Sequence, residues 1–127
     1  MGAHEYVATG EDGALEAVTG KFDLIINTTN VELPWDAYIA ALAPQGVLHT
    51  VGAAPKVEAA VFPMLVGQKS LSSSPLGDIA TTRKMMEFCA RHDITPNVET
   101  FTMSDINDAF ERLKQSPPLR LVLMREG

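Results

Sequence analysis

Two segments carry small polar residues directly after an apolar run, an arrangement typical of ligand sites at the ends of strands. Thr28 and Thr29 follow the run that starts at Phe22, and Gly52 follows the run that starts at Gly46. In open α/β folds, ligands bind at the carboxyl ends of parallel strands, where hydroxyls and backbone amides can face them. The alternative is that these residues only end a strand and begin a turn. Both strand ends are therefore candidate binding positions.

Side chains capable of acid–base, nucleophilic or metal chemistry are not grouped along the chain. His4, His49 and His92 lack the spacing of metal ligands, and the single cysteine, Cys89, excludes a Cys-x-x-Cys pair. The chain contains neither a nucleophile elbow nor a phosphate loop, which leaves an acyl or phosphoryl transferase with little support. The sequence predicts no catalytic residue and no metal ligand, and His49 is interpreted as an ordinary strand histidine.

Charge and composition exclude several classes of partner. The formal net charge of the 127 residues is −6 and the ten Lys and Arg residues are scattered, so no basic face for nucleic acid is expected. No apolar run reaches the roughly 18 residues that a membrane-spanning helix needs. A single cysteine suits a reducing compartment. We therefore expect a cytoplasmic protein that binds neither nucleic acid nor membranes.

Apolar runs of strand length recur along the chain and alternate with helical patterns. The run Asp23–Asn27 is apolar almost throughout rather than alternating, which predicts burial on both faces of a parallel sheet. Alternation of strands with helices favours an α/β fold. The predicted strands cover residues 5–8, 23–27, 47–51, 69–74, 97–101 and 119–124, and the last of them is expected to be buried.

Caps, breakers and apolar spacing predict the helices between these strands. Asp12, Asp78 and Ser104 are suited to N-cap positions, and Pro34 fits the first turn of another helix that Pro44 ends. A further helical turn is expected around residues 63–66, and the sequence 116–118, Ser-Pro-Pro, is expected to end the Ser104 helix. Apolar side chains on the Asp78 helix are predicted to pack in the core, namely Met85, Met86 and Cys89.

Six stretches occur in an order that resembles a known family. They read FDLIINTT at 22–29, GVLHTVGA at 46–53, VFPML at 61–65, GQKSLSSSPLG at 67–77, MEFCA at 86–90 and INDAFERL at 106–113. Together they resemble the C-terminal part of zinc-type medium-chain alcohol dehydrogenases, most closely the cinnamyl-alcohol-dehydrogenase-like branch. The resemblance covers nearly the whole chain.

The resemblance implies a domain organisation. Members of that family run through a zinc-binding catalytic domain and a Rossmann domain and then return to the catalytic domain. Residues 1–75 are thus expected to be the second half of a Rossmann-like parallel sheet, a partial cofactor-binding domain. Residues 76–127 are expected to be the helix–strand segment that returns to the catalytic domain. The chain has no G-x-G-x-x-G turn and no Cys or His set for zinc, so these parts are expected to lie elsewhere in the parent enzyme.

The resemblance also implies cofactor roles for residues at the strand ends. The cofactor would be NADP(H), with NAD(H) left open because the residue that reads the adenosine ribose is missing from the chain. Zinc is implied for the parent enzyme. The implied cofactor-binding residues lie at the ends of three predicted strands: Thr28 and Thr29; Val51, Gly52 and Ala53; and Ser74 and Leu76.

Two functions follow as hypotheses. In the first, the chain is a fragment of an oxidoreductase that transfers a hydride between NADP(H) and a small alcohol or aldehyde, and it is inactive alone. In the second, the chain is a non-catalytic α/β module. In a Rossmann sheet ordered 3-2-1-4-5-6, absence of strands 1 and 2 bares the edge of strand 4, and a bare edge can pair with another chain. A homo-oligomer is therefore expected.

Overall fold

The computed structural model describes residues 3–115 and 120–125. The chain divides into two compact units, Met1–Gly77 and Asp78–Gly127. Each unit combines helices with parallel strands, which confirms the predicted α/β fold class. The first unit ends two residues beyond the boundary predicted at residue 75. The assignment of the units to a cofactor domain and a returning catalytic segment stays a prediction.

The first unit is a parallel sheet of three strands joined by two helical crossovers. Its strand order is β1-β2-β3, and β1 and β3 are the edges. In the last row of the register Asn27 lies beside Thr50, which lies beside Ser73, so all three carboxyl ends are level. The elements are β1 (Phe22–Asn27), α1 (Trp35–Ala41), β2 (Leu42–Thr50), α2 (Val61–Gly67) and β3 (Ser70–Ser73). The strands predicted at 23–27, 47–51 and 69–74 are confirmed.

Strand β2 begins earlier than predicted, because the chain leaves α1 directly into the sheet. Phe22 pairs with Leu42, whereas Leu24 already pairs with Val47, so β2 bulges between these positions. Gln45 adopts a positive φ of 65° inside the bulge, a geometry that bulged strands accommodate. Pro44 consequently lies within β2, and the helix ends at Ala41 instead.

The segment before β1 differs from the prediction. Residues 5–8 form no strand, and Tyr6 is 89% exposed, since this short run pairs with no strand among the described residues. The helix predicted after Asp12 is also absent, because Gly13 adopts a left-handed φ of 79° that interrupts any helix there. A single 3-10 turn, Glu16–Val18, remains in its place.

The core of the first unit lies on one face of the sheet. Trp35, Leu42 and Leu48 form its buried cluster, and the helices α1 and α2 contact each other there. Leu24 and Ile26 point to the opposite face and are 56% and 57% exposed. The prediction that β1 is buried on both faces was therefore wrong, because helices of this unit cover only one of them.

The second unit contains α3 (Ile79–Arg91), β4 (Val98–Thr102), α4 (Ile106–Lys114) and β5 (Arg120–Met124). Strands β4 and β5 are parallel and pair from Val98 opposite Arg120 to Thr102 opposite Met124. This arrangement confirms the strands predicted at 97–101 and 119–124, apart from Leu119, which lies outside the described residues. The predicted break at 116–118 also lies outside them.

Fewer side chains of the second unit are buried than predicted. Of its described residues only Ala109 is buried; Met85 and Met86 are more than half exposed, and Cys89 is half-buried. A two-stranded sheet offers too little surface to cover both helices, so the predicted core packing of α3 was wrong within this unit. Strand β5 is likewise not buried, and Met124 is 54% exposed.

The two predicted helix caps of this unit have different outcomes. The Asp78 carboxylate accepts a hydrogen bond of 2.6 Å from the backbone N–H of Thr81, which confirms the cap of α3. The cap at Ser104 was wrong, because a 3-10 turn, Met103–Asp105, precedes α4 and places Asp105 at the cap position. The Ser104 hydroxyl instead lies 2.7 Å from that of Thr102.

Protonation of Asp78 should fray the start of α3. Hydrogen bonds from the backbone N–H and the side chain of Thr81 lower the pKa of this carboxyl. A lowered folded-state pKa means that the stabilisation is present above about pH 3.9, the usual Asp value, and is lost as the pH falls through the folded value. We expect the carbon chemical shifts of residues 79–82 to move toward coil values in acid.

The matched variant is Asp78→Asn, which retains an N-cap oxygen but does not titrate in this range. It should keep the helical shifts of residues 79–82 unchanged through the same acid titration, whereas Asp78→Ala should fray at every pH. Identical acid profiles for the wild type and Asp78→Asn would contradict the role assigned to the carboxylate.

Candidate functional site

The carboxyl ends of the three strands in the first unit are joined through their backbones. The N–H groups of Val51 and Gly52 both donate to the carbonyl oxygen of Asn27, at 2.9 and 3.2 Å. The N–H of Ser74 donates to the carbonyl oxygen of Thr50 at 3.3 Å. The loops that leave β1, β2 and β3 therefore begin at one common edge.

Gly52 lies against the loop that follows β1, where no side chain fits. A Cβ atom at this position would overlap the carbonyl oxygen of Thr29 and would lie 2.7 Å from the carbonyl carbon of Thr28. Close backbone approach, rather than a left-handed φ, is thus the reason for glycine here. This contact brings together residues of two of the three sequence-predicted segments.

Asn27 fixes the turn that carries the two threonines. Its Oδ1 atom accepts hydrogen bonds from the backbone N–H of Thr29 at 2.9 Å and from the Thr29 hydroxyl at 2.8 Å. Asn27 is only 6% exposed, so this side chain is a buried polar group rather than a surface one. Such Asx-type turns hold a loop without regular secondary structure. The hydroxyl oxygen of Thr29 keeps its lone pairs for a further partner.

His49 joins β2 to β3 on the sheet face opposite the helices. Its Nδ1 atom lies 2.8 Å from the Ser72 hydroxyl oxygen, and its Nε2 atom lies 2.9 Å from that of Ser74. Neutral imidazole supplies one donor and one acceptor, and each serine can take the complementary role. His49 therefore helps to position Ser74, a predicted cofactor residue. The available signal was a histidine on one strand and a Ser-x-Ser pattern on the next.

A cavity of about 450 Å³ opens near these strand ends. Hydroxyl groups and small apolar side chains form its walls, and none of the described lining residues is charged. Such walls suit a neutral planar group, but they offer no cation to hold a phosphate. The lining residues are Thr50, Gly52, Ala54, Val57, Leu71, Ser72 and Ser73.

The structure brings five of the seven predicted cofactor residues together. Thr28, Thr29, Val51, Gly52 and Ser74 are linked through the contacts described above. The remaining two are not held in the same way. Ala53 is exposed after Gly52, and the side chain of Leu76 is 98% exposed. The cofactor role of all seven residues remains a prediction.

Metal-binding geometry is missing from the described ranges. Across residues 3–115 and 120–125, no three His, Cys, Asp or Glu side chains are grouped so that they could hold a metal ion. The zinc implied by the resemblance therefore does not fit any site formed by these residues alone. Over the same ranges, no helix has the length and apolar character to cross a membrane.

A parallel sheet with helical crossovers and polar strand ends defines the class of α/β domains that bind ligands at the carboxyl edge. Residues 1–91 match the sequence model of the family described as zinc-binding dehydrogenase. The chain belongs to this oxidoreductase family, and the resemblance to zinc-type alcohol dehydrogenases is confirmed.

Three relatives show how far the similarity extends. An aldehyde reductase of Synechocystis is 44% identical over 115 residues, which are 90% of this chain and 34% of the relative. An NADP-dependent alcohol dehydrogenase of Mycolicibacterium smegmatis is 37% identical over 91% of this chain and 34% of its own length. A cinnamyl alcohol dehydrogenase structure from Sorghum bicolor matches with a TM-score of 0.76 and 25% identity, covering 98% of this chain and 35% of that one. The chain thus spans about a third of the length of these relatives.

The close approach at Gly52 predicts the effect of adding a methyl group. Gly52→Ala should lower the free energy of unfolding by about 1–3 kcal/mol, the usual cost of overpacking, because the methyl overlaps the Thr29 carbonyl oxygen. Urea denaturation of the purified chain measures this change. The matched control is Gly10→Ala, since a Cβ at Gly10 would have no atom within 4 Å. Equal stability of the two variants would contradict the geometry.

Proposed function

We propose that this chain is the C-terminal part of an oxidoreductase that transfers a hydride between NADP(H) and a small alcohol or aldehyde. The observation that carries the proposal is the shared edge of three strands, where Gly52 meets Thr28 and Thr29. The names of two relatives, an aldehyde reductase and an NADP-dependent alcohol dehydrogenase, support the reaction and the cofactor. NAD(H) is the alternative cofactor, and the cytoplasm is the proposed location.

In this proposal, the strand ends orient the nicotinamide ring and shield it from water. The bound cofactor supplies the hydride, and the protein supplies position and environment. Thr28 and Thr29 would face the nucleotide, Val51 to Ala53 would approach the ring, and the segment from Ser74 to Leu76 would meet the carboxamide. The uncharged walls of the neighbouring cavity support binding of the reduced nicotinamide ring, which carries no charge.

The phosphates and the metal require other parts of the enzyme. Pyrophosphate is typically held at a helix N-terminus that follows a glycine-rich turn, and the sequence of this chain lacks that turn. In the parent enzyme, zinc would polarise the carbonyl oxygen as a Lewis acid. The described residues provide no ligand set for it. The chain alone is therefore proposed to be inactive.

A chimera tests this proposal. This chain would replace the matching third of the Synechocystis aldehyde reductase, and NADPH oxidation with a small aldehyde would be measured. We expect retained activity, with a large loss of kcat/KM when Gly52→Val is added, because the larger side chain displaces the strand-end loops. A control chimera carries Gly10→Ala. A folded chimera that binds NADPH but shows no turnover would contradict the proposal.

The same proposal predicts how the isolated chain binds NADP. The sequence contains neither the glycine-rich turn nor a cationic site for phosphate. Binding of NADP to the isolated chain should therefore be negligible in isothermal titration calorimetry. A low-micromolar dissociation constant would show that the chain holds the whole cofactor by itself.

A second candidate function, self-association, is favoured by the exposed edge of the sheet. Among the described residues, strand β1 has a partner strand on one side only, and Leu24 and Ile26 on it are more than half exposed. Along the same strand runs an apolar groove of about 280 Å³, with Phe22 and Leu24 among its lining residues. Unpaired N–H and C=O groups beside apolar side chains are a template for pairing with another chain. We propose that two copies pair along β1.

Light scattering of the purified chain at micromolar concentration tests this pairing. We expect a dimer or larger assembly, and Ile26→Lys should shift the mass toward the monomer, because charge on an edge strand opposes pairing. The matched control is Val66→Lys on α2, which is similarly exposed at 67% and lies away from the edge. A monodisperse wild-type monomer would contradict self-association.

A further inference from the structure

A second, smaller cavity lies beneath the end of β1. Its volume is about 150 Å³, and it is bounded by the end of β1, the start of α1 and the loop between them. Apolar side chains form most of its wall, and a few polar groups interrupt them. The residues that matter for its chemistry are Asn27, Leu33, Trp35, Tyr38 and Leu48.

Two residues that line this cavity carry a buried hydrogen-bond donor with no acceptor among the described residues. Asn27 is 6% exposed and Trp35 is 4% exposed, so both are more than nine-tenths buried. The Nδ2 atom of Asn27 and the Nε1 atom of Trp35 find no hydrogen-bond partner among the residues that the structure describes. A buried donor without a partner is unfavourable, and two such donors on residues that line one small cavity point to a ligand.

The orientation of the Asn27 amide is fixed by its other half. Its Oδ1 atom accepts both hydrogen bonds from Thr29, at 2.9 and 2.8 Å. Exchanging the oxygen and nitrogen positions would set the amide NH₂ against the backbone N–H of Thr29, a donor against a donor. The amide nitrogen therefore remains the atom without a partner.

The cavity wall defines the class of ligand. The described lining residues, which also include Ile25, Ile26, Thr28 and Thr29, carry no charge. An anion buried there would lack a counter-charge, which is strongly unfavourable. Two N–H donors require an acceptor, and the volume admits one small molecule or a few waters. These limits together select a neutral oxygen acceptor.

We propose that this cavity binds a neutral oxygen acceptor, supplied by an ordered water or by a small amide, through Asn27 Nδ2 and Trp35 Nε1. The occupant completes the hydrogen bonding of Asn27, whose other atom holds the turn at Thr29. Occupancy of the cavity and the geometry of the threonine turn are thereby coupled. The inference does not depend on the proposed enzymatic function, since it concerns binding to the chain itself.

Trp35 provides a direct probe, because it is the only tryptophan in the sequence. Its indole N–H gives one assignable signal in a nitrogen-15 spectrum of the chain. In the first arm, a long-lived water produces a cross-peak between water and this proton. In the second arm, acetamide is titrated against acetate, a charged molecule of similar shape. A small-amide occupant shifts the indole signal saturably with acetamide and not with acetate.

The variants separate binding from a general change in the fold. Asn27→Asp retains acceptors for Thr29 but removes the amide donor, so the acetamide response should fall at least tenfold. A water can donate to the new carboxylate and should keep its cross-peak with the indole proton. Asn30→Asp adds the same charge at an exposed position and should behave as the wild type. If Asn27→Asp does not fold, the two arms on the wild-type chain decide.

Each outcome has a defined meaning. A water cross-peak alone assigns the site to an ordered water, and a selective acetamide response assigns it to a small amide. An indole proton with no water cross-peak and no acetamide response would overturn the proposal, as would equal responses to acetamide and acetate.

Discussion

At the carboxyl edge of the sheet, Gly52 passes the Thr28–Thr29 backbone with no space for even one methyl group. The rest of the candidate site depends on this contact. It holds the loop after β2 against the loop after β1, and the carbonyl oxygen of Asn27 accepts from both Val51 and Gly52 to secure the same junction. Strand β3 is parallel to β2 and paired with it in register. The junction that holds the loops after β1 and β2 therefore also sets where the loop after β3 begins.

The carboxyl edge of the sheet offers some kinds of chemical group and not others, and this limits which ligands it can bind. The strand ends supply hydroxyls, backbone amides and small apolar walls, and the cavity beside them has no charged lining residue among those described. Such a surface suits the uncharged end of a cofactor and not its phosphates. The chain belongs to the zinc-binding dehydrogenase family and spans about a third of its relatives' length. In our proposal, other segments of the enzyme bind phosphate and metal.

Local signals in the sequence were sufficient to predict many of the strands and helices. They failed to predict burial, which depends on tertiary contacts. The strand β1, the second half of β2 and the Asp78 cap follow from apolar runs and capping chemistry, which are local. Burial of Leu24 and packing of Met86 were mispredicted, because they depend on how many layers cover a sheet. Strand-end positions and the family resemblance indicated the candidate cofactor residues. The pairing of His49 with two serines requires the register between strands, which no single segment contains.

The most direct test of the central claim uses the neutral part of the cofactor. Reduced nicotinamide riboside carries the ring and its ribose but no phosphate, and its binding to the isolated chain can be mapped by backbone amide shifts. We expect weak binding, with perturbations concentrated at Thr28, Thr29, Gly52 and Ser74. Perturbations elsewhere in the chain, or an unchanged spectrum at saturating ligand, would contradict the claim that these strand ends form a nicotinamide site.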